Sequence, residues 1–316
     1  MPRVVVAGDA NVDILVHYPR FLNAERTRVE WPNPEVVGGG TSSNTAAALA
    51  KLGVDVSFIG TVGDDTFGRF VRADFEELGI DASGLVTNGS LNTVGVFAFI
   101  DETGERYLWG WPRVDQSFKV IDESSIDFDL VRSAAWFHSS GMSLTYGTSA
   151  RSTLSRIYRE AHEAGVPTSI DLNLRVDDGV LDPDFASALE QVINDVDYVL
   201  GSGPDEFAYL GQGTWLENAR VLATEGKTVV VRDGANGSLA IVGDELVRAP
   251  AYEVEVEDTV GAGDVFNAGF ISAMLDGEGL PAALAKGNGV SGYSVARKGA
   301  RNTPTISQLE LFMSER

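Results

Sequence analysis

The chain has no cysteine among its 316 residues. Disulfides, thiolate metal sites and cysteine nucleophiles are excluded with it. Histidine is scarce too: His17, His138 and His162 stand far apart and show no metal-ligand spacing. No apolar run approaches the roughly 18–20 residues that span a bilayer as a helix. Lysine occurs only as Lys51, Lys119, Lys227, Lys286 and Lys298, and 24 basic residues face 46 acidic ones for a net charge of −22. Such a surface repels nucleic acid and anionic membranes, so neither is expected as a partner. The acid excess reads as halophilic adaptation, because salt screens the self-repulsion of so much like charge. The first residues read as a strand and lack the apolar length of a signal peptide, so a cytoplasmic protein is expected.

What is present suits a soluble globular fold: 44% hydrophobic residues, mean hydropathy −0.01, and enough length for one large α/β domain over 1–316. Strand-like runs at 4–7, 56–60, 134–138, 167–171, 198–200 and 229–231 alternate with helix-like segments, several of them ending in glycine. This pitch predicts a mainly parallel sheet covered by helices. A hairpin partner is expected at 238–242, a small-residue helix at 281–297 and a short final helix. Gly201 to Glu206 reads as the cap of a helix carrying Phe207 and Leu210, and 252–257 as a charged strand. Two stretches break the rhythm. Residues 14–37 alternate without a helical period, and 91–111 reads as a hairpin turning at Asp101-Glu102-Thr103-Gly104. Tyr107, Trp109 and Trp111 fall on one face of its second strand, Leu108 and Gly110 on the other. Together, about 14–37 and 91–117 predict a small β-sheet lid that covers a site and excludes water.

Polar clusters follow several strand ends, where open α/β sheets bind ligands. They are Gly8-Asp9-Ala10-Asn11-Val12-Asp13, Asp171-Leu172-Asn173-Leu174-Arg175 and Arg232-Asp233-Gly234-Ala235-Asn236-Gly237. Gly38-Gly39-Gly40 precedes a run of N-cap residues and an alanine-rich helix; three glycines exceed what a cap requires and suggest close backbone approach to a ligand. Near the C-terminus stands Asp258-Thr259-Val260-Gly261-Ala262-Gly263-Asp264, followed by an apolar helical run. Glycines at a helix start leave N–H groups uncovered for an anion, and the aspartate sits where a base could meet a hydroxyl beside a phosphate. An ordinary strand–turn–helix corner would look the same in isolation. The Walker pattern and a dinucleotide Gly-x-Gly-x-x-Gly after the first strand are both absent, which disfavours P-loop kinases and dehydrogenases.

The two glycine motifs, Gly38 to Gly68 and Asp258 to Phe270, resemble in order and separation those of the ribokinase-like, or PfkB, carbohydrate kinases, over nearly the whole chain. The resemblance implies a three-layer αβα sandwich with a lid, and ATP-dependent phosphorylation of a sugar hydroxyl with Mg²⁺ and, in relatives, K⁺. It implies Asp264 as the catalytic base and Gly261, Ala262 and Gly263 as the anion hole. It places Asn11, Asp13, Gly39, Gly40 and Asn44 on the sugar, and Arg232, Gly234, Gly237 and Asn288 at the nucleotide. Glu206 would organise Mg²⁺ through water, and Asp258 would lie near a monovalent cation. One departure is Gly203, where the family commonly has asparagine in Asn-x-x-Glu. Arg113 and Arg175 would suit a carboxylate or phosphate on the substrate. The candidates are an acidic keto-sugar such as 2-keto-3-deoxygluconate, fructose or ribose, with pentose 1-phosphates and nucleosides as alternatives. A non-catalytic sensor is the contrasting class, and pairing of two copies through the lid is a further expectation.

Overall fold

The computed structural model describes residues 3–17, 33–100, 106–146, 148–174, 176–177, 179–224 and 226–316. The strands are β1 (Arg3–Ala7), β2 (Asn11–His17), β3 (Glu35–Gly39), β4 (Asp55–Gly63), β5 (Leu85–Asn88), β6 (Gly95–Ile100), β7 (Arg106–Trp111) and β8 (Trp136–Ser140). They continue with β9 (Thr168–Asp171), β10 (Val176–Asp177), β11 (Val180–Leu181), β12 (Tyr198–Ser202), β13 (Thr228–Arg232), β14 (Ser238–Val242) and β15 (Glu245–Ala249). The α-helices are α1 (Thr41–Lys51), α2 (Thr66–Leu78), α3 (Phe128–Arg132), α4 (Ser149–Glu163), α5 (Pro183–Ile193), α6 (Trp215–Thr224), α7 (Ala262–Leu275), α8 (Leu280–Val295) and α9 (Ile306–Ser314).

Nine strands form one sheet in the order β15-β14-β13-β12-β9-β8-β1-β4-β5. Every pair from β13 to β5 is parallel, and β14 and β15 close one edge antiparallel. The first strand shows how the core divides. Val4 and Val6 pack with α1, α7 and α8, while Val5 and Ala7 face the opposite layer with α4 and α5. Period-two side chains buried on both faces are why these strands are apolar without alternation. Burying each valine contributes roughly 1.5–3 kcal/mol.

A second sheet runs β3-β2-β6-β7. Its register sets Gly38, Val12, Gly95 and Trp111 in one row across the four strands. The expected aromatic face is present: the Trp109 ring lies 5.7 Å from Phe97, and Tyr107 and Trp111 are exposed. The hairpin turn at 101–104 and the middle of the 14–37 stretch lie outside the described residues.

Two expectations fail. Residues 252–257 form no strand. Glu257 and Asp258 N–H both donate to Val295 O at the end of α8, and Tyr252 stacks on Phe312 of α9, so the alternation serves helix contacts. Phe207 and Leu210 do not lie on a common helix; only a single 3₁₀ turn forms at Phe207–Tyr209. There the Asn218 amide takes the Phe207 carbonyl that a continuing helix would use.

Candidate active site

Helix α7 starts from Gly261 at φ 72°, a left-handed conformation that suits glycine. A Cβ there would also lie 2.5 Å from the Ala300 Cβ. First-turn amides of a helix have no intrahelical acceptor and carry the positive end of its dipole, so residues 261–264 offer a place for an oxyanion. Asp264 occupies that turn, nearly buried, with its Oδ2 accepting from Asn44 Nδ2 at 2.9 Å. Thr45 Oγ1 donates to the Asp264 main-chain carbonyl at 3.1 Å, pinning α1 against α7. Burial pushes the Asp264 carboxyl well above its usual range. The charges of Asp171 and Asp9 push the same way, against the Asn44 hydrogen bond and the Arg232 charge.

Asn44 is set by the start of α1. Gly40 at φ 98° offers no side-chain cap, and Asp9 supplies one from the end of β1. Its Oδ2 accepts from Thr41 N at 2.8 Å and its Oδ1 from Ser42 N at 3.0 Å. The glycine triplet does permit close approach, but to this chain's own groups. A Cβ on Gly39 would lie 2.4 Å from Asp13 Oδ1, and one on Gly40 would lie 2.8 Å from Asp9 O. Asn11 Oδ1 and Asn44 Oδ1 are buried without partners, an arrangement that costs free energy unless something else bonds them. Asn11, Asp13, Gly39, Gly40, Asn44 and Asp264 thus gather where β2, β3, α1 and α7 meet. Arg301, which the sequence did not single out, closes this side. It bonds Ser43 and pairs with Asp74 at 3.2 Å, within electrostatic reach of Asp13 and Asp264.

The other half of the site is one buried network. Arg232, at the end of β13, donates to both Asp171 oxygens at 2.8 and 3.2 Å. It also donates to Asn267 Oδ1 at 2.7 Å, Glu206 Oε2 at 3.3 Å and Gly263 O at 3.4 Å. Asn267 completes a ring by donating to Asp171 Oδ2 at 2.7 Å. Glu206 accepts from Leu174 N at 2.9 Å and Ser202 N at 2.5 Å; burial and Asp171 raise its pKa against Arg232. Arg232 therefore spends its guanidinium on protein carboxylates, and a Cβ on Gly263 would stand 3.1 Å from its Cζ. Sequence reasoning placed Asp171 in a polar cluster at a strand end without giving it this partner, and missed Asn267 altogether. For Asn267 the available signal was an asparagine inside the apolar run of α7.

The remaining candidates lie around this centre. Gly237, at φ 89°, presses on Ala249, where a Cβ would meet the carbonyl at 2.2 Å. Asn288 Nδ2 donates to Ala249 O and Pro250 O at 3.1 and 2.9 Å, so these two residues converge on one strand end, with Gly234 in the same β13–β14 turn. Asp258 accepts from Val260 N and Gly299 N, tying the approach to α7 to the segment after α8. Arg113 is exposed just beyond β7, and Arg175 lies outside the described residues. Gly203 explains itself: a Cβ would lie 3.0 Å from the Trp215 ring, so the larger asparagine would press on that indole.

The profile of the "pfkB family carbohydrate kinase" matches residues 1–306. An ATP-dependent ribose-1-phosphate kinase of Halopiger xanaduensis is 31% identical over 100% of this chain and 99% of its own. A fructokinase of Klebsiella pneumoniae is 30% identical over 90% and 87%. A ribokinase II candidate of E. coli, solved with ATP and Mg²⁺, superposes with a TM-score of 0.85 over both whole chains at 21% identity. A family profile spanning nearly the whole chain, with a relative alike from end to end, leaves one assignment: the chain belongs to the PfkB carbohydrate kinases and is an ATP-dependent sugar kinase.

Proposed function

We propose that Asp264 deprotonates a sugar hydroxyl, which then attacks the γ-phosphorus of ATP. The bond to the β–γ bridging oxygen breaks, ADP leaves, and the proton rests on Asp264. The observation that carries this is the buried Asp264 carboxylate in the first turn of α7, oriented by Asn44. Burial makes it a stronger proton acceptor than an exposed carboxylate. The amides of Gly261 and Gly263, and that of Ala262 on release from the Thr259 carbonyl it meets at 3.2 Å, stabilise the charge that grows on the transferring phosphoryl group. Asn11 and Asn44 hold hydroxyls with their free oxygens, and Asp13 accepts from another.

Mg²⁺ neutralises the nucleotide phosphates when bound. No group of three or more acidic or histidine side chains able to hold a metal occurs among the described residues. The Glu206–Asp171 pair fits outer-sphere attachment, which suits an ion that keeps several waters. The Asp258 bridge to Gly299 supports an ordering role for K⁺ at the loop entering α7. Gly234, Gly237 and Asn288 shape the nucleotide end, with Arg232 supporting it from the carboxylate network. The exposed Tyr107, Leu108 and Trp111 favour pairing of two copies through the small sheet, which closes over the sugar as a lid. A strictly monomeric sedimentation profile would remove the pairing.

For the acceptor, a pentose 1-phosphate is the best-supported candidate, since the ribose-1-phosphate kinase relative aligns end to end. The test is an acceptor panel with ATP and Mg²⁺ in high KCl, covering ribose, fructose, ribose 1-phosphate, 2-keto-3-deoxygluconate and a nucleoside. Loss of the base in Asp264→Asn is expected to lower kcat at least about 10²-fold with nucleotide binding retained. A rate within tenfold of the parent would remove Asp264 from the role.

A further inference from the structure

Arg113 and Lys119 lie six positions apart on the connection after β7, and neither pairs with a carboxylate among the described residues. Arg72, Arg248 and Arg297 likewise have no carboxylate partner among the described residues, so what distinguishes Arg113 and Lys119 is that two such cations adjoin each other at the end of β7. Lys119 is held in place: its Nζ stands 3.7 Å from the Tyr146 ring centroid. Burial and the charge of Arg113 both lower its pKa, so the two cations feel each other. Two like charges kept together without a counter-ion are unfavourable until an anion joins them.

Their place in the fold says which anion. Trp111 shares a row with Gly95, Val12 and Gly38, so β7 ends where β2 begins at Asn11 and β3 finishes at Gly39. Tyr146, under Lys119, follows the 3₁₀ turn Gly141–Leu144. In that turn Ser143 Oγ approaches Gly8, as does Ser42 Oγ of α1; a Cβ on Gly8 would lie 2.8 and 2.2 Å from them. Ser42, Ser143 and Ser117 hydroxyls are buried without partners, like the Asn11 and Asn44 oxygens. Ser42 and Ser143 adjoin Gly8, three positions before Asn11, and Ser117 lies two positions before Lys119.

The geometry points to Arg113 and Lys119 as the specificity-determining pair that binds a phosphate carried by the acceptor sugar, at the end away from the hydroxyl Asp264 deprotonates. The proposal rests on the kinase reading given above. A phosphate dianion matches two cations, whereas a carboxylate leaves one charge over. Arginine supplies a planar fork and Lys119 a point charge held over the Tyr146 ring, two complementary ways to meet a phosphate.

The experiment compares Arg113→Gln, Lys119→Gln, the double variant and Lys119→Arg with the parent, using ribose 1-phosphate, ribose and 2-keto-3-deoxygluconate. Each protein is checked for an unchanged melting temperature. The double variant is expected to lose at least about 30-fold in kcat/KM on the sugar phosphate, through KM, with its rate on ribose within threefold. Lys119→Arg should retain most of the activity. Equal losses on all acceptors, or a parent that prefers ribose to ribose 1-phosphate, would overturn the assignment. So would a parent that prefers the sugar acid. Calorimetric binding of ribose 1-phosphate separates the two readings. Tight binding that the double variant loses, with no turnover on any acceptor, would sink the kinase reading and keep the phosphate site. Binding unchanged by the double variant would sink the site whatever the turnover.

Discussion

Replacing Arg232 by methionine keeps side-chain length and removes five hydrogen bonds, to Asp171 (two), Asn267, Glu206 and Gly263. The Asp171 side chain is only 4% exposed and that of Glu206 11%, so water cannot replace what is lost. Breaking a buried pair from one side typically costs about 3–5 kcal/mol, mostly from stranding the remaining charge. Urea unfolding of Arg232→Met is therefore expected to show a loss in that range at pH 7. The pH dependence has a fixed sign. Glu206 already has a raised folded pKa, and removing the guanidinium raises it further, so the native state holds a proton the unfolded chain has released. Stability of the variant then falls as pH rises from the ordinary carboxylate range through the folded value, and its deficit is larger at pH 8 than at pH 5. Adding Asp171→Asn removes one stranded charge and should recover about 1–2 kcal/mol relative to the single variant. A single-variant loss below about 1 kcal/mol, or no recovery in the double variant, would refute the view of Arg232 as the network's counter-charge.

Asp264→Asn should be inactive yet more stable than the parent at neutral pH. The folded pKa of Asp264 lies above its unfolded 3.8, so ionisation destabilises the native state increasingly across that window; denaturation midpoints that do not diverge as pH rises would contradict this. His138 is fully buried, and burial lowers its pKa to about 4 from 6.5. Stability should fall by about 3 kcal/mol in total as pH drops through that interval, because only the unfolded chain gains the proton; in His138→Gln this contribution to the slope should vanish. The net charge of −22 predicts a melting temperature that climbs with KCl into the molar range, and a flat response would end the high-salt reading.

The parallel sheet was legible because both its faces are buried, which leaves runs such as Val229-Val230-Val231 with no polar interruption. Helix ends were legible where glycine takes a left-handed conformation, as at Gly79 closing α2. Residues 252–257 misled because alternation reports one-sided burial, whatever the neighbour. Tyr252 finds that neighbour in α9, after Pro250 has removed a donor that a further strand would need. At the site, residues fixed by local backbone could be found from motif spacing, Gly261 and Asp264 above all. Asn267 and Arg301 could not, and the partners of Asp9 and Asp171 could not, because each acts across a long stretch of sequence: Asn267 lies 96 positions from Asp171, and Arg301 lies 258 from Ser43. Tertiary contact alone brings them together.

That long-range network also bears on the missing asparagine. With Trp215 packed on Gly203, no side-chain amide is available at that position to help place phosphate or metal. Three carboxylates, Asp171, Glu206 and Asp264, surround the single guanidinium of Arg232, an excess of two negative charges when all are ionised. Positive charge must then come from the first turn of α7 and from the divalent ion that arrives with the nucleotide. Until it does, burial and the Asp171 charge favour the protonated form of Asp264. With Mg²⁺ and ATP held there, Asp264, the base proposed above, would cost less to ionise.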